Sequence, residues 1–128
     1  MARILYLDDE EPLVFLVTRM LQLLGHEPAG FTVAKDALAA FRAAPEGFDL
    51  VLTDLSMPTL GGIEFVKEIL GVRPGAAVAV LTGHADRKDV EAARAAGVLD
   101  IVSKPGTIQQ MEEVLRDLFA KRSGVMKE

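Results

Sequence analysis

Cysteine and tryptophan are both absent from this chain. The lack of cysteine excludes a disulfide framework and any thiolate metal site, and a reducing compartment, the cytoplasm, is the expected setting. No apolar run approaches the roughly 20 residues needed to cross a bilayer, and the N-terminus lacks the charged-then-apolar pattern of a secretory signal. A soluble chain with no membrane partner is therefore expected. Basic residues are also few: 14 Lys and Arg face 19 Asp and Glu, a formal net charge of -5. A nucleic-acid surface needs clustered cations, so no nucleic-acid partner is expected. The one basic cluster, Lys121, Arg122 and Lys127, reads as the solvated C-terminal end of a helix, where cations are favoured.

With 128 residues, half of them apolar, the chain has the burial capacity of one compact domain. We assign that domain to residues 1–122 and a short tail to 123–128. Neither a low-complexity linker nor a repeated unit interrupts it. Short apolar runs alternate five times with helical patterns, which indicates an α/β fold, a parallel sheet clothed by helices.

Arg3 to Leu7 is a short apolar run of the kind shown by a strand buried on both faces, and it ends abruptly at Asp8, Asp9, Glu10 and Glu11. Pro12 then suits the first turn of a helix. From Glu11 to Leu24 the set Leu13, Leu16, Val17, Met20, Leu21 and Leu24 recurs at helical spacing, and Gly25 supplies the stop. Later strands are predicted at Glu27–Phe31, Leu50–Thr53, Ala77–Leu81 and Asp100–Ser103. The helices between and after them are predicted at Val33–Ala43, Ile63–Leu70, Lys88–Ala96 and Ile108–Lys121.

In an open parallel sheet all strand C-termini share one rim, and ligands bind there. The residues just past each strand therefore matter. They are Asp8 and Asp9 after the first, Asp54 after the third, Thr82 after the fourth and Lys104 after the fifth. Like charges ~4 Å apart repel by about 4 kcal/mol at an effective dielectric near 20, so converging carboxylates call for a cation. Hard carboxylate oxygens without His or Cys favour Mg²⁺, which retains waters and leaves room for phosphate oxygens. A carboxylate in such a pocket can take a phosphoryl group if surrounding charges orient the phosphorus and spread its charge. Asp54 is placed as that acceptor. Lys104 would neutralise the transferred group, the Thr82 hydroxyl would hydrogen-bond it, and Asp9, with Asp8 less directly, would hold the metal.

At this point the sequence resembles the receiver domains of two-component response regulators, from Arg3 to about Lys121. The motifs are LDDEEP (Leu7 to Pro12), LTDLSMPTLGGIE (Leu52 to Glu64), LTGHAD (Leu81 to Asp86) and SKP (Ser103 to Pro105). The resemblance implies a flavodoxin-like, doubly wound five-stranded parallel sheet in the order 2-1-3-4-5 with five helices. It implies that Asp54 takes its phosphoryl group from a histidine kinase or phosphotransfer protein. It also implies Mg²⁺ on the Asp9 and Asp54 side chains and the Ser56 backbone carbonyl, with Asp8 assisting through water. Thr82 and Lys104 would take the switch roles, and Lys104 would precede a cis Pro105. Gly62 falls at the family's glycine turn, where backbone must pass close to the site. Gly61 stands where an acidic residue is common.

Two positions depart from the family's pattern. Ile101 stands where many receivers carry Tyr or Phe three residues before the lysine, and Gly106 replaces a phenylalanine often found after Lys-Pro. The usual aromatic readout thus lacks its rings. Ser56 and His84 hold the positions that tune dephosphorylation in the family, and His84 is a candidate to gate the attacking water. Phe15 lies nearly opposite the core set of the first helix, at ~100° per residue, and is a candidate contact for the kinase or phosphotransfer partner.

The expected function is that of a signalling module in which phosphorylation shifts a conformational equilibrium, with no catalysis beyond its own phosphorylation and dephosphorylation. No output domain is expected within the 128 residues. The chain could then serve as a free-standing regulator, a phosphate relay or sink, or one domain of a hybrid kinase. An alternative is a small phosphohydrolase with Asp8 as nucleophile and Glu10 as acid. That reading leaves Asp54 without a role. A flavin or dinucleotide binder is disfavoured because four acidic residues, and no glycine-rich loop, follow the first strand.

Overall fold

The computed structural model describes residues 1–55, 61–83 and 86–123. Its elements alternate strictly: β1 (Arg3–Leu7), α1 (Glu11–Leu23), β2 (Glu27–Phe31), α2 (Ala34–Ala43), β3 (Leu50–Thr53), α3 (Gly62–Val72), β4 (Val78–Thr82), α4 (Arg87–Ala96), β5 (Asp100–Ser103) and α5 (Ile108–Ser123). The strands pair in parallel in the order β2-β1-β3-β4-β5. Four strands match the sequence expectation residue for residue. β4 sits one residue later than predicted, because Thr82 still pairs with Ser103 of β5 and so belongs to the ladder. Helices α3 and α5 outrun their predicted ends by up to two residues, since periodicity weakens at helix termini.

The strands read as unbroken apolar runs because each is covered on both faces. Ile4 and Tyr6 of β1 join Leu50, Leu52 and Leu81 under α1 and α5, through Val17, Leu21, Met111, Leu115 and Leu118. Leu5 and Leu7 point the other way, joining Val51 and Val78 against Phe41 of α2 and Phe65, Val66 and Ile69 of α3. This two-sided burial is the doubly wound arrangement.

Helix α1 is rolled relative to expectation. Val17, Met20 and Leu21 are buried as predicted, but Leu16, assigned to the core, is 44% exposed. The cause is Gly30 of the edge strand: a Cβ there would lie 2.6 Å from Val14 Cγ1 and 2.8 Å from Thr18 Cγ2. The missing side chain lets α1 settle onto β2 through Val14 and Thr18, which turns Leu16 to the rim. Phe15 is 72% exposed, on the solvent side where the helical wheel puts it. A further correction concerns Pro105. No peptide bond among the described residues is cis, so Lys104–Pro105 is trans. Lys104 is held instead by its backbone N–H, which donates to the Thr82 carbonyl at 3.0 Å, and by its ammonium group.

Candidate functional site

The sheet ladders continue one residue past β1 and β3. Asp8 N–H donates to the Phe31 carbonyl (3.1 Å) and Asp54 N–H to the Leu7 carbonyl (3.0 Å), which brings both aspartates to one rim at the sheet centre. Asp8 is fully buried. Its Oδ2 accepts from the Tyr6 hydroxyl and from Lys104 Nζ, both at 2.8 Å, and its Oδ1 accepts from the Glu10 backbone N–H at 3.0 Å. Lys104 Nζ also lies 3.7 Å from Asp54 Oδ1, so one ammonium bridges two acids that are far apart in the chain. Thr82 is buried on the same rim, at the end of β4.

Asp9 and Glu10 continue outward into solvent, and oxygens of Asp8, Asp9 and Glu10 all lie within 4.8 Å of one another. Among the described residues, the carboxylates of Asp8, Asp9, Glu10 and Asp54 gather around the single Lys104 ammonium, so the rim carries a formal excess of negative charge. An all-oxygen anionic donor set of this kind fits a hard divalent cation such as Mg²⁺. Glu10 joins Asp8 and Asp9 in this cluster, and Asp54 lies beside it, 3.7 Å from the Lys104 ammonium that Asp8 also binds.

The electrostatics follow from burial. Desolvation pushes the Asp54 carboxyl above its ordinary value, and Asp8 and Asp9 push the same way, while Lys104 and a backbone hydrogen bond from Leu55 pull it down. Burial alone would lower Lys104, but the Asp8 hydrogen bond and the surrounding carboxylates outweigh it and hold the ammonium charged. The Tyr6 phenol is raised, first by burial and then by donating to Asp8.

Space behind Asp54 is set by Gly62. A Cβ at that position would sit 2.3 Å from the Asp54 carbonyl oxygen and 2.6 Å from Leu55 Cα, so only glycine lets the start of α3 cross behind Asp54. Gly62 N–H donates to the Leu55 carbonyl at 3.0 Å and locks the crossing. At Gly61 a Cβ would meet nothing within 4 Å, so no packing role attaches to that glycine.

Of the predicted site residues, the fold brings together Asp8, Asp9, Asp54, Thr82 and Lys104. Ser56 and His84 lie outside the described residues. Ile101 is half-buried against the small cluster of Leu55, Val80 and Ala93, an aliphatic filling where an aromatic ring is common in the family. Pro105 is buried. Gly106 N–H donates to Gln110 Oε1 at 2.7 Å, and Thr107 Oγ1 accepts from Gln110 N–H at 3.1 Å. The position after Lys-Pro therefore serves as a capping turn for α5. Tyr6 escaped the sequence reading. Its signal was there: a phenol in an aliphatic strand, two residues before Asp8, lies on the same strand face as that acid.

The profile of the response regulator receiver domain family matches residues 4–116. The chain belongs to this family. A response regulator receiver protein of Anaeromyxobacter sp. is 36% identical over 87% of this chain and 46% of its own length. The C4-dicarboxylate transport transcriptional regulatory protein DctD of Rhizobium meliloti is 29% identical over 94% of this chain. This receiver spans 46% and 26% of the lengths of those two relatives. Among solved structures, a receiver domain protein of Clostridium thermocellum superposes with a TM-score of 0.86 at 28% identity, covering 98% of this chain and 100% of the other. The chemotaxis protein CheY4 of Vibrio cholerae gives 0.84 at 26% identity, covering 92% and 98%. The receiver is a module of two-component signalling, and no helix among its described residues is long and apolar enough to cross a membrane.

Proposed function

We propose that this receiver accepts a phosphoryl group on Asp54 from a histidine kinase or histidine phosphotransfer protein in the cytoplasm, and that the modified pocket switches conformation or passes the phosphate on. One observation carries the reading: the desolvated Asp54 carboxylate sits beside the Lys104 ammonium, 3.7 Å from Oδ1, at the edge of an acidic cluster able to hold a cation. In the transfer, an Asp54 carboxylate oxygen forms the new bond to phosphorus. The bond from phosphorus to the donor's imidazole nitrogen breaks, and its electron pair stays with that nitrogen. Lys104 neutralises charge on the equatorial oxygens and Thr82 donates its hydroxyl to one of them. Asp9, Asp54 and the Ser56 carbonyl, with Asp8 through water and Glu10 beside them, are the groups that would hold Mg²⁺, which supplies charge neutralisation between the carboxylates and the incoming phosphate.

The phosphohydrolase alternative finds no support in the geometry. Asp8, its required nucleophile, is fully buried with both oxygens accepting hydrogen bonds. The reading implies no turnover of external substrates. It is tested by intact-mass analysis after incubation with Mg²⁺ and a small-molecule phosphodonor. Wild type gains one phosphoryl mass and Asp54→Asn does not. A wild type that stays unmodified where control receivers react, or a chain that turns over phosphomonoesters, would overturn it.

A further inference from the structure

We propose that the Tyr6 hydroxyl is a positioning group for phosphoryl capture: it keeps the buried Asp8 carboxylate hydrogen-bonded while Lys104 exchanges Asp8 for the phosphoryl group on Asp54. The proposal rests on the phosphoacceptor reading of Asp54.

Among the described residues, three donors serve Asp8. The Glu10 N–H occupies Oδ1 at 3.0 Å, and the Tyr6 hydroxyl and Lys104 Nζ share Oδ2 at 2.8 Å each. Lys104 is within hydrogen-bond distance of Asp8 but 3.7 Å from Asp54 Oδ1, so in this state the ammonium is committed to Asp8. To neutralise a phosphoryl group on Asp54 it must loosen that bond. A fully buried carboxylate deprived of a donor loses more than the hydrogen bond itself, because no water replaces it. The Glu10 N–H is on the other oxygen and fixed at the start of α1, so it offers no substitute.

Tyr6 is suited to remain. Its ring is fully buried in the core beneath α1 and α5, so packing on that sheet face fixes the direction of the hydroxyl. With phenylalanine in its place, Lys104 would be the one donor left to Oδ2 among the described residues, and Asp8 would hold the lysine back from the phosphoryl group. The hydroxyl acts through Asp8 and Lys104 and touches no reacting atom.

The test compares wild type, Tyr6→Phe and Asp54→Asn by calorimetry, titrating Mg²⁺ alone and then beryllofluoride, an isostere of the phosphoryl group, at saturating Mg²⁺. Tyr6→Phe is expected to weaken beryllofluoride binding about tenfold or more, as loss of a hydrogen bond to a buried charge implies. Affinity for Mg²⁺ alone should stay essentially unchanged, since Lys104 then remains on Asp8. Equal beryllofluoride affinity in wild type and Tyr6→Phe overturns the proposal and leaves the phosphoacceptor reading standing. So does an equal loss for Mg²⁺ alone, which would make Tyr6 a metal-site residue. Failure of wild type to bind beryllofluoride overturns the phosphoacceptor reading and this proposal with it.

A second measurement needs no variant. Tyr6 is the single tyrosine and tryptophan is absent, so ultraviolet resonance Raman of the wild type reports on this phenol alone. The signature of a phenol donating to a carboxylate should persist and strengthen when beryllofluoride and Mg²⁺ are added. Its disappearance would show that Tyr6 does not keep Asp8 bonded.

Discussion

Replacing Gly62 by alanine should damage this receiver in both stability and phosphoryl uptake, whereas the same change at Gly61 should do neither. At Gly62 the new Cβ would lie 2.3 Å from the Asp54 carbonyl oxygen and 2.6 Å from Leu55 Cα. Comfortable carbon contacts are about 3.5 Å or more, so either the start of α3 or the Asp54–Leu55 backbone must retreat by roughly 1 Å. Overpacking of this kind costs about 1–3 kcal/mol. The retreat also strains the bond from Gly62 N–H to the Leu55 carbonyl, 3.0 Å long, whose loss would add about 1 kcal/mol. A total near 3 kcal/mol lowers the melting temperature of a domain this size by about 10 °C.

Function should suffer more than stability. The displaced backbone is that of Asp54, the proposed acceptor, and misplacing a reacting group by ~1 Å costs on the order of a hundredfold in rate. At Gly61, the N-cap of α3 with φ −67°, a methyl group meets nothing within 4 Å. The weaker N-cap preference of alanine and its lower chain entropy when unfolded nearly cancel there, leaving a change within about 1 kcal/mol. Urea melts give the stability difference, and initial rates of phosphoryl gain from a small-molecule donor give the functional one. A Gly62→Ala protein matching Gly61→Ala in both would refute the reasoning.

Lys104→Met leaves the buried Asp8 with Tyr6 and Glu10 as its remaining donors and should destabilise the fold by about 3 kcal/mol. A loss under about 1 kcal/mol in denaturant melts, the scale of a surface pair, would refute it. Burial raises Asp54 above its ordinary value of 3.8. The native state then keeps a proton that the unfolded chain has released, and stability falls as pH climbs from that ordinary value through the raised one. Asp54→Asn should therefore gain on wild type between acidic and neutral pH without divalent cations, with added Mg²⁺ narrowing the gap; a pH-independent difference in melts argues against this. His26 is lowered from 6.5, first by burial and then by the N-terminal ammonium, and its Nδ1 accepts the Ala2 N–H at 3.1 Å. Stability should rise with pH through the window ending at 6.5, and a His26→Gln melt series that kept this slope would contradict it. Phe15→Asp, at a 72% exposed position, should change stability by less than about 0.5 kcal/mol and slow phosphoryl gain from the cognate kinase alone. Equal kinase-driven rates would remove the partner contact.

Much of the candidate site was legible because a parallel sheet aligns its strand ends. Once Arg3–Leu7, Leu50–Thr53 and Asp100–Ser103 read as strands, Asp8, Asp54 and Lys104 had to fall on one rim, wherever they stood in the chain. The alternation of element types and the outward side of α1 at Phe15 were likewise local properties, readable from spacing and residue type, whereas the glycine crossing at Gly62 was implied by the family resemblance.

What the sequence left open depended on contacts between distant residues. Periodicity marks Leu13, Leu16 and Val14 alike as apolar, and only the close approach of α1 to Gly30 chose Val14 and exposed Leu16. Lys104 was foreseen as the cation for a group transferred to Asp54; its bond to Asp8, at 2.8 Å against 3.7 Å to Asp54, follows from side-chain reach and was not legible. The Tyr6 hydroxyl became a donor to the pocket because the strand face it shares with Asp8 is sealed from water by α1 and α5. Residue order determined which groups meet at the rim. Packing decided which are desolvated, and therefore which hydrogen bonds each must keep.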